Sequence, residues 1–392
     1  MLYKDFEGER LSLLGFGMMR LPLAEDGSID EPLVQRMVAY AIERGVNYFD
    51  TAYPYHGGLS EVVSGRVLSG FPRATYKLAT KYPGHQYAAS YEPAVIFEDQ
   101  LKKCGVDYFD FYLLHNVTES CYGVYTSEKW RILDYFVEQK KRGRIRHLGF
   151  SSHAEFETLR DFLDYAGDRV EFCQIQLNYL DWTLQKAQAR YDLLTERNIP
   201  VWVMEPVRGG RLATLSDAQT ARLRELRPGA STASWAFRWL QSLPNVTMIL
   251  SGMSNMDQVI DNIETFSSQR PLSNEETASL SEIASELQTI IPCTGCRYCC
   301  DGCPRHLDIP VLLNSLNDAR FGSNFTVAMR LESLPEAGLP DACIGCGACV
   351  SSCPQHIDIP SLMREFAELR PKLPNWKKIC AERAEAAKKL KT

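Results

Sequence analysis

Residues 293–304 read CTGCRYCCDGCP, and residues 343–354 read CIGCGACVSSCP. Both stretches have the spacing Cys-x2-Cys-x2-Cys-x3-Cys-Pro, at an offset of 50 residues. The match continues beyond the prolines, where His306-Leu-Asp-Ile-Pro310 is echoed by His356-Ile-Asp-Ile-Pro360. Self-similarity at a fixed offset indicates an internal duplication.

This spacing is the ligand pattern of bacterial [4Fe–4S] proteins, in which the fourth cysteine of each run serves the other cluster. The sequence therefore predicts two [4Fe–4S] clusters, one held by Cys293, Cys296, Cys299 and Cys353, and the other by Cys343, Cys346, Cys349 and Cys303. Cys300 breaks the spacing and is predicted not to be a ligand. A pair of structural zinc sites is the alternative, although such sites usually combine two Cys-x2–4-Cys pairs.

Helices are expected around and between the two motifs. Amphipathic segments run from Ile309 to Arg320 and from Ser323 to Leu334, and a further helix is expected after Pro360. Residues 286–392 are thus predicted to form a small α-helical domain of the two-cluster ferredoxin type.

The whole-chain composition narrows the functional classes. The chain has 392 residues, of which 45% are hydrophobic and 23% charged, which is typical of a globular protein with a full core. A net charge of -6 argues against non-specific binding of nucleic acid. The charged start and the lack of a long apolar run predict a cytoplasmic protein that does not bind membranes. In that compartment, the clustering of most of the 13 cysteines points to metal ligation.

Upstream of the cysteines, strand-like and helix-like segments alternate. Helical stretches such as Pro32–Arg44, Glu128–Arg142 and Ala154–Tyr165 separate eight apolar runs, namely Leu13–Met18, Val46–Asp50, Tyr76–Thr80, Phe109–Leu114, His147–Ser151, Cys173–Asn178, Val201–Glu205 and Val246–Ser251. Eight such units predict a closed (β/α)8 TIM barrel over residues 1–285. A doubly wound sheet is the alternative, but no G-x-G-x-x-G follows the first run.

Polar residues stand at the carboxyl ends of these apolar runs, where barrel enzymes carry their chemistry. Asp50 ends the second run, Lys81 follows the third and His115 follows the fourth. The later ends add Ser151, Ser152, Gln176, Asn178, Glu205 and Ser251. Because all eight ends meet on one rim, the pattern predicts an active site there.

Several of these residues lie in motifs that resemble those of the aldo-keto reductase family. The motifs are Gly45-Val-Asn47-x-x-Asp50-Thr51-Ala52-x-x-Tyr55, then Ser60-Glu61, Ala79-Thr80-Lys81 and Leu113-Leu114-His115. They occur in the family's order over residues from about 10 to 270. The whole chain resembles the bacterial branch with a fused ferredoxin domain. The resemblance implies reduction of aldehydes or ketones with a nicotinamide cofactor, usually NADPH.

The resemblance also implies a catalytic tetrad of Tyr55, Lys81, Asp50 and His115. Tyr55 would be the acid that protonates the carbonyl oxygen when hydride reaches the carbonyl carbon. A free phenol is a weak acid, with a pKa of about 10, and a neighbouring ammonium, Lys81, would favour the phenolate. Asp50 would hold Lys81, and His115 would orient the substrate oxygen.

For the cofactor, the resemblance places Ser151, Ser152 and Gln176 at the nicotinamide. Gly252, Ser254, Gln258 and Asn262 correspond to residues on the adenosine side. The chain departs from the family here, because residues 251–262 contain no Lys or Arg to meet the 2′-phosphate of NADPH. The sequence therefore does not decide between NADH and NADPH as the cofactor. Arg208 and Arg211 are the alternative cations for contact with the 2′-phosphate.

Two functions remain open at this stage. The first is an oxidoreductase that reduces a small-molecule carbonyl, or oxidises an alcohol, and exchanges electrons through its two clusters with a redox protein partner. Hydride carries two electrons and each cluster carries one, so direct coupling would need a converter such as a flavin. The second is an ordinary aldo-keto reductase whose ferredoxin domain is a structural or partner-docking module. No motif identifies a flavin site.

Overall fold

The computed structural model describes residues 1–84, 92–119, 121–287, 291–320 and 324–375. The chain folds into two compact units, Met1–Gln288 and Thr289–Thr392. Within the described residues, no helix is both long and apolar enough to cross a membrane.

The first unit is a closed barrel of eight parallel strands, preceded by a two-stranded antiparallel hairpin. The hairpin strands are β1 (Tyr3–Phe6) and β2 (Glu9–Ser12). The barrel strands are β3 (Leu14–Gly17), β4 (Tyr48–Asp50), β5 (Lys77–Tyr82), β6 (Phe109–Val117), β7 (Ile145–Ser152), β8 (Cys173–Gln176), β9 (Val201–Met204) and β10 (Val246–Gly252). Each of the eight predicted runs overlaps one of these strands, so the (β/α)8 barrel is confirmed.

Helices of this unit follow the strands and cover the barrel. They are α1 (Glu31–Glu43), α2 (Leu59–Leu68), α3 (Pro93–Cys104), α4 (Tyr122–Tyr125), α5 (Ile132–Lys141), α6 (Phe156–Ala166), α7 (Asp181–Leu184), α8 (Ala187–Glu196), α9 (Asp217–Leu226), α10 (Thr232–Gln241), α11 (Met256–Thr265) and α12 (Asn274–Leu287). Their buried faces, such as Val34, Met37 and Ala41 of α1, belong to the main hydrophobic core. The predicted helices correspond to α1, α5 and α6.

The hairpin was not predicted from the sequence. Its turn is Glu7-Gly8, and both residues have positive φ, at 47° and 82°, as a tight hairpin turn requires. Phe6 packs with its ring centroid 4.9 Å from that of Trp202 and joins the aromatic cluster inside the barrel. The hairpin therefore adds apolar side chains to the barrel interior, away from the polar strand ends.

The second unit is helical in its described part. Its helices are α13 (Tyr298–Asp301), α14 (Ile309–Arg320), α15 (Asn324–Glu332), α16 (Ala348–Ser351) and α17 (Ile359–Leu369). The predicted helix from Ile309 to Arg320 coincides with α14, whereas Ser323, the predicted start of the next helix, lies outside the described residues. Leu312, Leu316, Met363 and Phe366 lie in a small separate core, so this unit has limited apolar packing of its own.

Candidate active site and cysteine cavities

Three of the predicted catalytic side chains meet at the barrel rim. Asp50 ends β4 and Lys81 lies near the end of β5, and the parallel register of these strands brings the two side chains together. Lys81 Nζ donates a hydrogen bond to the Asp50 carboxylate and another, of 2.7 Å, to the backbone oxygen of Thr51. The Tyr55 hydroxyl lies 3.5 Å from Lys81 Nζ. A phenol, an ammonium and a carboxylate are therefore aligned in that order.

The Asp50–Lys81 pair is almost completely buried, at 3% and 0% exposure. Burial raises the pKa of the Asp50 carboxyl and lowers the pKa of the Lys81 ammonium, while their mutual attraction opposes both shifts. Tyr55, in contrast, is half-buried. The arrangement exposes the phenol to a ligand and keeps its charged neighbours away from water.

His115 approaches Tyr55 from the neighbouring strand β6. The two ring centroids are 5.8 Å apart and the ring planes lie at 83°. The pairing of β6 with β7 shifts register between Leu114 and Val117, and Asn116 has a positive φ of 57°. Such an irregularity at a strand end redirects a side chain. The hydroxyl of buried Tyr125 donates to the His115 backbone oxygen and holds this segment in place.

Tyr55 begins a short 3-10 segment, Tyr55–Gly58, with unusual backbone geometry. His56, Gly57 and Gly58 all have positive φ, a conformation that costs a non-glycine residue about 1 kcal/mol or more. The His56 ring compensates locally, because its Nε2 accepts a hydrogen bond of 3.2 Å from the backbone N–H of Leu21. The loops after β3 and β4 are thereby tied together beside the phenol.

A buried polar network supports Lys81 from behind. Gln100 Nε2 donates to the Lys81 backbone oxygen at 3.0 Å and to Glu61 Oε1 at 2.6 Å, and Thr80 also donates to Glu61 at 2.6 Å. The Tyr112 hydroxyl donates to Gln100 Oε1. Burial raises the pKa of the Glu61 carboxyl, against these hydrogen bonds. The Ser60-Glu61 motif therefore stabilises the strand that carries Lys81.

The two predicted nicotinamide serines end β7, next to the segment that carries His115. Ser151 Oγ accepts a 2.8 Å hydrogen bond from the backbone N–H of Asn116. Ser152 Oγ donates to the Val117 backbone oxygen at 2.9 Å and accepts from the backbone N–H of Ala154 at 3.0 Å. Both hydroxyls thus stabilise the rim. They also lie close to the segment that carries His115.

Gln176, the third predicted nicotinamide residue, ends β8 and is held by Asp181. Gln176 Nε2 donates to Asp181 Oδ2 at 2.7 Å. Asp181 also pairs with Arg208, whose Nε lies 3.0 Å from Oδ1. Arg208 is only 1% exposed. The idea that Arg208 meets a 2′-phosphate is therefore wrong for this structure, because its guanidinium is buried in an ion pair.

The predicted adenosine-side residues follow β10 and enter α11. Gln258 Oε1 accepts a 2.7 Å hydrogen bond from the backbone N–H of Ser254, so these two residues shape one turn. Asn262 Nδ2 donates to Ser251 Oγ at 2.8 Å and is buried. Asn262 therefore anchors the helix to the strand.

Arg20, from the loop after β3, lies against this turn and was not predicted from the sequence as a site residue. Its backbone oxygen accepts a 2.8 Å hydrogen bond from Ser254 Oγ. A Cβ at Gly252 would stand 3.3 Å from three side-chain carbons of Arg20, so the two residues are in close contact. The guanidinium, about one-third exposed, lies 3.6 Å from the Glu205 carboxylate. The structure thus places a cation beside a loop that has none.

The eight predicted cluster ligands surround two cavities in the second unit. One cavity is lined by Cys303 together with Cys343, Cys346 and Cys349. The other is lined by Cys353 together with Cys293, Cys296 and Cys299. Cys300 lines neither. Each cavity therefore combines three cysteines of one motif with the Cys-Pro cysteine of the other, and such thiolate sets fit [4Fe–4S] clusters.

Comparison with known proteins assigns the family. The sequence model of the Aldo/keto reductase family matches residues 13–285. The chain belongs to the aldo/keto reductase family. A second model, described as a 4Fe-4S dicluster domain, matches residues 292–357. This aldo-keto reductase is therefore an oxidoreductase whose iron–sulfur domain follows the barrel domain in the sequence.

Relatives of this aldo-keto reductase match its barrel. An aldo-keto reductase of Mycolicibacterium smegmatis is 27% identical over 282 residues, which cover 71% of this chain and 91% of the relative. L-galactose dehydrogenase of Arabidopsis thaliana is 25% identical over 316 residues, which cover 72% and 92%.

Solved structures of the family share the fold. The holo form of an aldo-keto reductase from Bacillus halodurans is 26% identical, with a TM-score of 0.58, and the match covers 72% of this chain and 96% of the other. An aldo/keto reductase from Klebsiella pneumoniae in complex with NADP and acetate is 21% identical, with a TM-score of 0.58, over 71% and 93%.

Proposed function

We propose that this chain reduces a small-molecule carbonyl compound, or oxidises the corresponding alcohol, with a nicotinamide cofactor at the barrel rim. The observation that carries the proposal is the alignment of the Tyr55 hydroxyl with Lys81 and Asp50, 3.5 Å separating the phenol oxygen from the ammonium. Family membership supports it, since nicotinamide-dependent reduction is what the resemblance implies.

Each side chain of the tetrad has a distinct task in this proposal. Tyr55 donates its proton to the carbonyl oxygen, and Lys81 stabilises the phenolate that remains. Asp50 holds the ammonium in place inside the core, where it could not stay charged alone. His115, perpendicular to the Tyr55 ring, hydrogen-bonds the same substrate oxygen and orients it. When bound, a reduced nicotinamide supplies the hydride that reaches the carbonyl carbon.

Cofactor binding is proposed for the strand ends beyond the tetrad. Ser151, Ser152 and Gln176 would hold the nicotinamide carboxamide. The turn of Gly252, Ser254 and Gln258 with Asn262 would hold the adenosine side, and Arg20 is a cation in contact with that turn. Charge-assisted contact with Arg20 favours NADPH over NADH.

The direct test is isotopic. With a cofactor carrying deuterium at the transferable position of the nicotinamide, and an aldehyde or ketone panel as substrates, deuterium should appear on the carbinol carbon of the product. Alcohol that forms with solvent hydrogen alone on that carbon would rule out hydride transfer. Tyr55→Phe protein serves as the matched control, since it keeps the barrel intact and lacks only the acid.

For the second unit, we propose two [4Fe–4S] clusters that exchange electrons with a redox protein partner. The support is the crossed grouping of cysteines around two cavities. Clusters accept one electron at a time, so nicotinamide chemistry would reach them only through a one-electron/two-electron converter such as a flavin.

Anaerobic addition of NADPH, followed by electron paramagnetic resonance, separates this role from a structural one. A reduced-cluster signal that requires added or bound flavin supports electron exchange. Clusters that stay oxidised with NADPH and flavin, yet are reduced by dithionite, would assign the unit to partner docking or structure instead.

A further inference from the structure

The two cysteine cavities differ, although the motifs that form them are copies of each other. We call them the Cys346 cavity and the Cys296 cavity, after one cysteine of each. Cys346 is exposed, whereas Cys296, at the same position of the first motif, is half-buried. Ile344 on the Cys346 cavity is 62% exposed, whereas its counterpart Thr294 on the Cys296 cavity is buried. The Cys346 cavity is thus the more open to water.

The two copies also differ in charge directly after each Cys-Pro pair. Arg305 lines the Cys346 cavity, and Gln355, at the equivalent position of the second copy, lines the Cys296 cavity. Arg305 is exposed, and it forms no ion pair with any residue that the structure describes. A free cation therefore stands at one cavity where a neutral amide stands at the other.

The Cys296 cavity has an arginine too, but its charge is neutralised. Arg297 lines this cavity and donates from Nη1 and Nη2 to the two carboxylate oxygens of Asp308, at 2.9 and 3.0 Å. All residues that line the two cavities are described by the structure. Among their basic side chains, Arg305 is the one without a carboxylate partner.

Reduction adds one negative charge to a [4Fe–4S] cluster, so a nearby cation favours the reduced form and raises the reduction potential. Exposure to water favours the added charge as well. Both effects act at the same cavity. We infer that Arg305 raises the reduction potential of the cluster in the Cys346 cavity above that of the cluster in the Cys296 cavity.

This inference rests on the proposed function, which supplies the two clusters. Its consequence is a direction for electron flow inside the second unit. A single electron held by the unit resides at the Cys346 cavity. Its arrival there reduces that cluster by one electron, oxidises the other by one electron, and neither breaks a bond nor moves a proton. The proposed redox protein partner then takes the electron from the cavity whose cysteine is exposed.

The test is an anaerobic redox titration of the full-length protein, followed by electron paramagnetic resonance at low ionic strength, where an exposed charge is least screened. The wild type should show two midpoint potentials. Arg305→Gln should make reduction at the higher potential about tenfold less favourable, which for one electron is about 59 mV, and should shift the lower potential less. A single midpoint in the wild type, an unchanged higher potential in the variant, or an equal shift of both overturns the inference.

A cysteine variant assigns each potential to a cavity. Cys353 lines the Cys296 cavity, and alanine at this position cannot bind iron. Cys353→Ala should therefore lose the lower potential and keep the higher one, which Arg305→Gln should still lower in the double variant. Loss of the higher potential instead would place the more easily reduced cluster in the Cys296 cavity and contradict the inference.

Two matched variants separate charge from structure. Arg305→Lys keeps the charge and should keep both wild-type potentials, and a fall as large as in Arg305→Gln would count against an electrostatic role. Arg297→Gln/Asp308→Asn removes the paired arginine of the other cavity together with its partner, with no change in net charge. It should leave both potentials nearly unchanged. A tenfold effect there would refute the distinction between the paired and the unpaired arginine.

Iron analysis of the same preparations identifies a failure of the proposed function. Wild-type iron far below about eight atoms per chain would mean that two [4Fe–4S] clusters do not form. About eight iron atoms, with potentials that do not respond to Arg305→Gln, would defeat the role of Arg305 alone.

Discussion

The barrel rim and the cysteine-rich unit hold their functional side chains in different ways. At the rim, Lys81 and Asp50 are inside the core, with hydrogen-bond partners supplied by the protein. In the second unit, Cys346 is exposed and the eight predicted ligands line two cavities. The comparison teaches that protein packing fixes the positions of the side chains in the first site. In the second site, the cysteines depend on a bound cluster to fix their positions.

The largest expected effect follows from removing iron. Because the second unit has a small core, we expect anaerobic chelation of iron to unfold residues 291–375 and to leave the barrel folded. Hydrogen exchange measured by mass spectrometry should show protection lost in α14 and α17, with β4 to β7 unchanged. Protection retained in both helices would show that the unit is held by its own packing.

Cysteine replacements sharpen the same contrast. Cys353→Ser should remove about half of the iron, meaning about four of about eight atoms per chain. Because the cavities are crossed, Cys293→Ser/Cys353→Ser should lose no more iron than Cys353→Ser alone.

The matched variant Cys343→Ser/Cys353→Ser removes one predicted ligand from each cavity and should lose nearly all iron. Iron and sulfide analysis of anaerobically purified proteins gives the result. The reverse pattern, with greater loss in the first double variant, would mean that each motif binds its own cluster.

A smaller effect is expected for cofactor choice at the rim. Arg20→Gln should weaken NADPH relative to NADH roughly tenfold, because one charge-assisted contact contributes about 1–3 kcal/mol. The observation behind it is the contact of Arg20 with Gly252 and Ser254.

Titration of both nucleotides at matched ionic strength measures the change, with Arg211→Gln as the control. A shift in the Arg211 variant, with none in the Arg20 variant, would transfer the role to Arg211.

The smallest expected effect concerns pH. Burial raises the pKa of Glu61 above its ordinary 4.5, so the folded state favours the protonated carboxyl. That stabilisation is present below the ordinary pKa and is lost as the pH rises through the raised value. The Glu61→Gln variant has no carboxyl at this position and does not lose this stability. The difference between its free energy of unfolding and that of the wild type should therefore increase from about pH 4 to about pH 7. Urea unfolding of both proteins at each pH measures this difference. A difference that does not change with pH would contradict a raised pKa for Glu61.

Much of this architecture could be predicted because its signals are local. Eight apolar runs mark strands that are largely buried on both faces, and the spacing from Asp50 to Tyr55 marks the loop that we propose to be catalytic. The duplicated Cys-Pro endings predicted the crossed grouping of cysteines that the cavities show.

The rest depends on partners distant in sequence. Arg208 was considered for phosphate binding because its neighbours in the sequence do not reveal its buried ion pair with Asp181. Arg20 was overlooked for the same reason, since its contact with Gly252 spans the closing pair of barrel strands. The hairpin was missed because four-residue strands carry too short a pattern, although Glu7-Gly8 was a turn signal.

The central claim is the proposal that Tyr55 is the acid of a hydride-transfer site at the barrel rim. Tyr55→Phe tests it most directly, with turnover, nucleotide affinity and iron content measured on the same anaerobic preparation. We predict that kcat for carbonyl reduction falls by about 10²–10⁴-fold, while the Kd for the nucleotide and the iron content stay at wild-type values. Near-normal turnover in Tyr55→Phe would contradict the account.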